Sequence, residues 1–332
     1  MAVSLALRNK PGVSSETAAR IRAIAEEMGY KPNPLVSSLM RTRSSRRKKG
    51  HGLVIGWLGL TQVQKTKQGL KYDIFAEYLR GCQDAVEQAD IRLEVFNRHQ
   101  FPNRNAFERV LRSRGIPALV LGPWDQGHTM LIPDIKTIPH IVQIGRSRHR
   151  LDHDRVVVDH YNHMATCVQK VLDRGCRRIV WMDSHLHEER NEGRWTSSFL
   201  YQIHIRKFEG HVHLIEKRTN MNRVTKEALD RYQPDAIISG NPSVGFCLRD
   251  LQAERRIEFA CLARDGQPDW MSGINVGHYR LGYQAGNIVV DKVLGSHNRR
   301  EGSRGRSIVL PGEWWESSES NLSGQPDAKN SR

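Results

Sequence analysis

Charge is the first chemical feature of this chain. The run from Arg41 to Lys49 (RTRSSRRKK) carries six cations in nine residues. Such density beside helical sequence suits the phosphates of a nucleic acid, and a solvated basic linker is the plainer alternative. The run is the peak of a wider excess. Residues 1–49 hold eleven Lys and Arg against three Glu, a surplus of +8 within a chain total of +15. Other chemistry is thinner. His185, His187, Glu188 and Glu189, and separately His211 and His213, are metal-ligand types. Neither group has a matched second cluster, so both read as solvated turns or strand edges. Five cysteines (82, 167, 176, 247, 261) are scattered without a Cys-x-x-Cys pair, which points to reduced thiols and not to a disulfide frame or zinc ribbon. There is no phosphate-cradling Gly-x-x-x-x-Gly-Lys-Ser/Thr loop, no Gly-x-Ser-x-Gly elbow and no His-Glu-x-x-His. The expectation is therefore no enzyme, no metal and no cofactor.

These side chains must be positioned by ordinary α/β elements. From Gly52 onward strand-like and helix-like segments alternate. Strands are expected at 52–58, 91–96, 118–121 and 140–144, with helices at 72–89 and 103–114 between them. After a strand at 156–158 the rhythm restarts. Helices are expected at 160–174, within 193–206, at 222–232, 243–253 and 278–294, and strands at 178–182, 211–215, 235–239 and 258–262. This βαβ order predicts parallel sheets covered by helices on both faces. Two such halves, meeting near 150–160, describe a two-lobed body over 46–315 with a ligand cleft between the lobes. Asp159 and Asn241 follow strands and so sit at the carboxyl ends that face such a cleft. Residues 316–332 are polar and poor in apolar side chains, and are expected to form a disordered tail. No apolar run reaches the roughly eighteen residues a membrane helix needs, and no signal peptide opens the chain. A soluble, cytoplasmic protein without a membrane partner is expected.

The first 45 residues read differently. Residues 1–9 form a short helical pattern, and Lys10-Pro11-Gly12-Val13 is a turn. Ser14 is placed to cap a second helix, on which Ile21, Ile24, Ala25 and Met28 fall at i, i+3, i+4 and i+7. Gly29 closes that helix, and Tyr30 to Pro34 leads out extended. Asn33 then caps a third short helix with Pro34 at its first position and Leu35, Val36, Leu39 and Met40 on one face.

The string VSLALRNKPGVSSETAARIRAIAEEMGYKPNPLVSSLMR resembles the LacI/GalR group of bacterial transcription repressors: recognition helix, turn, third helix and hinge helix, in order. The likeness continues more loosely to about residue 312, through segments such as PDAIISGNP and SGINVGHYRLGYQAGNIVVDKVLG. It implies a helix-turn-helix headpiece and hinge over 1–45 and a periplasmic-binding-protein-like body. The family's first helix has no counterpart here, because Met1 aligns inside the recognition helix. Either the coding start is set at an internal methionine or the headpiece is truncated, and the unspoiled third helix and hinge favour the former.

Residue by residue, the resemblance places Met1, Ala2 and Leu5 against base edges, Ser4 near a phosphate, and Asn9 at the end of the reading helix. Leu39 falls on the position of a leucine that wedges into the minor groove, with Arg41 beside it. It places Asp265 as an effector contact, with Arg190 and Arg194 as two candidates for a partnering arginine. The function implied is a homodimeric, nucleoid-associated repressor on operator DNA, controlled by a small-molecule effector such as a sugar. Trp57, Trp124 and Trp270 lie near strand ends where a ring could stack on a sugar. The basic segment from Gln64 to Lys67 and the unusual Tyr72-Asp73-Ile74-Phe75 entry count against a standard sugar pocket. A metabolite sensor that has lost its DNA contact is the second reading, and an α/β enzyme the third.

Overall fold

The computed structural model describes residue 6 and residues 14–28, 53–59, 73–123, 131–133, 137–146, 153–216, 220–251, 257–295 and 305–318. The chain divides into two compact units, Met1–Gly52 and Leu53–Arg332, with the break where the first strand begins.

In the first unit Ala6 is helical and buried. Helix α1 (Ser15–Glu27) starts at Ser14, whose side chain accepts from the Thr17 N–H at 3.3 Å. The expected apolar stripe is only partly covered: Ile21 and Ala25 are half-buried, while Ile24 and Met28 are exposed. The expected DNA contacts Met1, Ala2, Ser4, Leu5, Asn9, Leu39 and Arg41, and the hinge helix that carries the last two, lie outside the described residues.

The second unit holds two six-stranded sheets. The first is ordered β11-β5-β4-β3-β1-β2 and is parallel throughout, from β1 (Val54–Leu58), β2 (Arg92–Phe96), β3 (Ala118–Leu121), β4 (His140–Ile144), β5 (Asp154–Val158) and β11 (Ser307–Leu310). The second is ordered β12-β10-β9-β8-β6-β7, from β6 (Arg178–Ser184), β7 (Glu209–Ile215), β8 (Ala236–Ser239), β9 (Glu258–Cys261), β10 (Gly273–Asn275) and β12 (Glu313–Trp315). Only β12 runs antiparallel to its neighbour. Central strands such as β1 and β3 are apolar along their whole length and wholly buried, as strands covered on both faces must be.

Helices α2 (Ile74–Glu87) and α3 (Arg104–Ser113) follow β1 and β2, and α4 (His160–Asp173) follows β5. The second sheet is interleaved with α5 (His185–Arg190), α6 (Arg194–Arg206), α7 (Met221–Tyr232) and α8 (Ser243–Asp250), and α9 (His278–Val293) follows β10. Each lobe has a core on both faces of its sheet. In the first lobe, Ile55, Trp57, Val120 and Val142 pack with Cys82 and Val86 of α2 and with Leu281, Ala285 and Val289 of α9, and Leu58, Leu119 and Leu121 pack on the other face with Phe107 and Leu111 of α3. In the second, Trp181, Ile238 and Ala260 pack with Met164, Cys167 and Phe199.

One boundary near 150–160 was expected; the chain crosses between lobes three times. The crossings lie between β5 and α4, between β10 and α9, and between β11 and β12. Helix α9 therefore completes the first lobe although it follows the strands of the second. Residues 316–318, the start of the expected tail, are ordered parts of the fold. Arg174 pairs with Glu316, and the buried Ser317 donates its N–H to Ser272 Oγ at 3.0 Å. Those residues are part of the second lobe. All five cysteines are unpaired and buried. Among the described residues no helix is long and apolar enough to cross a membrane.

Candidate functional site

Sheet connectivity says where to look. In the first lobe β1 is followed by β2 on one side and β3 on the other, and in the second β6 is followed by β7 and β8 likewise. At such a reversal the loops part and leave a crevice at the strand carboxyl ends. A tryptophan stands at each. Trp57 lies beside Gly59 and Gly122, the residues that follow β1 and β3; a Cβ on Gly122 would come within 2.6 Å of its ring. Trp195 lies beside Gly240, which follows β8, where a Cβ would come within 2.8 Å of the ring. Both indole Nε1 atoms are buried without a hydrogen-bond partner among the described residues. An indole N–H only donates, and a native fold rarely leaves one unpaired.

Around Trp195 the polar groups multiply. Asp183, at the end of β6, is buried; one of its oxygens accepts from the Gly240 N–H at 3.0 Å and the other from Ser184 N–H at 2.6 Å. His187 Nδ1 lies 2.8 Å from Asp183 Oδ1. The expected exposed turn at 185–190 is instead helix α5, because Ser184 caps it (His187 N–H to Ser184 Oγ, 3.2 Å) and Glu188 turns inward to accept from Thr196 N–H at 3.1 Å. The other oxygen of Glu188 is buried and unpartnered. The His160 ring stands 5.1 Å from that of Trp195, and its Nδ1 is unpartnered. Burial, with His163 and Arg146 nearby, pushes its pKa down to about 3, so the imidazole is neutral. From the first lobe comes Arg146, two residues past β4, donating to Glu192 Oε2 at 3.0 Å. Arg194, the first residue of α6, reaches the same oxygen at 3.2 Å.

The five expected effector contacts separate in space. Arg194 joins this cluster, and Arg190 closes α5 beside His187. Asn241 caps the turn into α8, accepting from the Ser243 N–H at 3.0 Å. Asp159 and Asp265 are built into the crossings between lobes. Asp159 accepts from Asn162 N–H at 3.3 Å and donates its own N–H to Leu310 O at 3.1 Å. Both oxygens of Asp265 are taken, by the Val276 N–H at 2.6 Å and the Gly277 N–H at 2.8 Å. Burial pushes Asp265 up, but its bonds from His278, Val276 and Gly277 more than offset this and hold it below the usual carboxylate range. At the third crossing Gly312 N–H donates to His163 Nε2 at 2.7 Å. Trp124 lies outside the described residues, and Trp270 packs on Phe246 under Arg249. His211 stacks on Tyr232 at the edge strand β7. No group of three or more metal-ligand side chains occurs among the described residues.

Arg146 and His160 were not anticipated from sequence, and Glu188 was noted only as a metal-ligand type. Arg146 lies in a loop, His160 starts α4 and Glu188 is within the short helix α5, and each is buried only in the folded chain.

Comparison with known proteins agrees with this arrangement. Residues 1–33 match the model of the bacterial regulatory proteins of the lacI family. The match is to this N-terminal segment. No curated protein sequence matches the chain, and over residues 53–318 the similarity to solved structures is one of fold. A regulatory protein of the LacI family from Chloroflexus aggregans superposes with a TM-score of 0.64 at 15% identity, covering 79% of this chain and 96% of that one. The transcriptional regulator CelR in complex with cellobiose gives 0.58 at 15% identity over 94% and 93%. The lac repressor dimer bound to operator and the anti-inducer ONPF gives 0.58 at 13% identity over 95% and 93%.

The Asp183–His187 pair makes the stability of this fold depend on pH. Burial lowers the His187 pKa, but the hydrogen bond and charge of Asp183 more than offset it, so the folded value is raised. A raised imidazole stabilises the fold fully below its unfolded pKa of about 6.5, and that contribution is lost as pH rises through the folded value. His187→Gln should therefore cost more stability near about pH 6 than near about pH 8.5, read by urea unfolding. An equal cost at both would show that the pair carries no charge.

Proposed function

We propose that this protein is a transcriptional regulator, a repressor that binds a palindromic operator as a homodimer in the cytoplasm and is controlled by a small molecule between its lobes. The observation that carries the reading is the set of buried polar atoms at Trp195, His160, Glu188 and Arg146 that have no partner among the described residues, gathered where the two lobes meet. A rigid protein core pairs such atoms; a ligand site leaves them for its ligand. Of the expected effector contacts, we read Arg194, Arg190 and Asn241 as lining that site, and Asp159 and Asp265 as setting the crossings that let the lobes rotate about it. An effector that favours one lobe arrangement shifts DNA affinity by linkage. Met1, Ala2, Ser4, Leu5 and Asn9 would read bases and phosphates, and Leu39 and Arg41 would enter or flank the minor groove. Self-association is favoured by a shared exposed apolar patch, in which Tyr161 of α4 stands 6.3 Å ring to ring from Tyr201 of α6, near Leu200 and Ile205.

Selection from random duplexes tests this, using the chain and the same chain extended through its in-frame upstream codons. An enriched inverted repeat whose binding falls steeply with salt is expected. If small molecules bind but no duplex is enriched by either form, the chain is a sensor without DNA contact.

A further inference from the structure

We infer that the effector of this site bears an acid group, carboxylate or phosphate, which Arg146 and Arg194 receive together. The inference rests on the reading of the interlobe crevice as the effector site. Three guanidinium groups converge on one carboxylate: Arg146 at 3.0 Å and Arg194 at 3.2 Å share Glu192 Oε2, and Arg155 stands 4.0 Å from Oε1. One negative charge among three positive ones leaves the cluster under-compensated.

Arg146 is the critical member. Its side chain is only 7% exposed, and its Nε has no hydrogen-bond partner among the described residues. Arginine cannot escape burial by losing its proton, and a buried charge needs both a counter-charge and filled donors. The same fold shows how a structural arginine is treated. Buried Arg264 donates to the carbonyls of Met271, Gln267 and Pro268 and to Asn275 Oδ1, and pairs with Asp269. Among the described residues Arg146 has only Glu192. The neighbouring free atoms point the same way: Trp195 Nε1 is a donor without an acceptor, against the single spare oxygen of Glu188. His160 is neutral and supplies no charge. A neutral polyol would fill some donors and leave the charge; an oxyanion supplies both acceptors and charge, in the geometry guanidinium groups prefer. Arg146 comes from the first lobe and Arg194 from the second, so a bridging acid group also holds the lobes together.

Tryptophan fluorescence of the full chain at constant ionic strength provides the readout, since Trp195 borders the cluster. The probes are inorganic phosphate, glucose, gluconate and glucose 6-phosphate. Phosphate should saturate, and at least one of the two acids should bind roughly tenfold or more tighter than glucose; which one wins separates carboxylate from phosphate. Arg146→Gln should weaken acid binding by about the same factor. Glu192→Gln should tighten it by removing the competing carboxylate, a gain that a folding defect would not produce. Saturation by glucose alone, unmoved by Glu192→Gln, overturns the acid group while leaving the effector site intact. Silence from all four probes at tens of millimolar also overturns it. The effector reading itself falls only if small molecules from a cell extract also leave operator binding unchanged.

Discussion

Asp154→Asn is expected to lower the unfolding free energy by about 3–5 kcal/mol, the usual cost of removing one partner from a buried charge pair. Asp154 is the first residue of β5, and it is buried. One oxygen lies 2.7 Å from Lys292 Nζ of α9 and 3.0 Å from the Arg306 guanidinium, and the other accepts the Arg306 N–H at 2.8 Å. Three distant segments are thus tied at one carboxylate. Asparagine keeps the shape but leaves the Lys292 ammonium buried without a counter-charge. Arg306 is half-exposed and regains water, so Lys292 decides the magnitude. The double variant Asp154→Asn with Lys292→Met should recover much of the loss, because an apolar replacement removes the stranded charge. The pH dependence has a definite sign. Burial raises the Asp154 pKa, but the Arg306 N–H, Lys292 and the Arg306 side chain outweigh it and leave it far below the usual carboxylate value. A depressed carboxyl contributes its full stability above the unfolded pKa of about 3.9, and loses it as pH falls through the folded value. Urea unfolding should accordingly show a wild-type advantage that is full at neutral pH and shrinks only in strong acid. A variant as stable as wild type at pH 7 would mean that the ammonium is not held as described.

Asp154 also shows what the sequence could and could not say. Strands β1 and β3 were legible because a doubly covered strand must be apolar throughout, and Val54–Leu58 and Ala118–Leu121 are. Strands β10, β11 and β12 carry three or four residues each, too few for any periodicity. β11 finds its partner β5 about 150 residues away (Ser307 opposite Arg155), so only the tertiary fold defines it. The same blindness hid two of the three crossings and the return of α9 to the first lobe. At the site, Asp159 and Asn241 were visible as polar residues after strands. A cap and a ligand contact look identical in sequence, however, since both use a short polar side chain at that place. Helix α5 was not legible because a six-residue polar segment has no apolar stripe, and the inward turn of Glu188 depends on the start of α6 that follows it. Arg146 had no signal at all. An arginine after a strand is ordinary until the second lobe buries it.

Gly282→Val should unfold the first lobe or cost several kcal/mol, and even Gly282→Ala should destabilise. Helix propensity alone argues the opposite, since alanine in mid-helix gains about 1 kcal/mol over glycine. Packing decides. Helices α2 and α9 touch backbone to backbone through reciprocal glycines: a Cβ on Gly282 would fall on the Tyr78 carbonyl oxygen, and one on Gly81 on that of Tyr279. A third, on Gly286, would lie 2.9 Å from Cys82 O. Backbone atoms cannot swing aside as a side chain does, so the helices must separate. Separation costs roughly 1–3 kcal/mol for one methyl group, and more for a branched side chain, which exceeds the propensity gain. It would also stretch the bonds that hold the pair in register, Tyr279 OH to Asp84 at 2.8 Å and Tyr283 OH to Gln88 at 2.7 Å. Because either alanine forces the same separation, Gly81→Ala with Gly282→Ala should cost less than the sum of the two. Thermal and urea unfolding of the four chains would measure this; strict additivity, or a net gain from Gly282→Ala, would show that the helices are not in contact. The consequence reaches the site. Helix α9 begins immediately after the Val276–Gly277 crossing that Asp265 fixes. Moving α9 therefore moves the hinge about which the two arginine-bearing lobes must close.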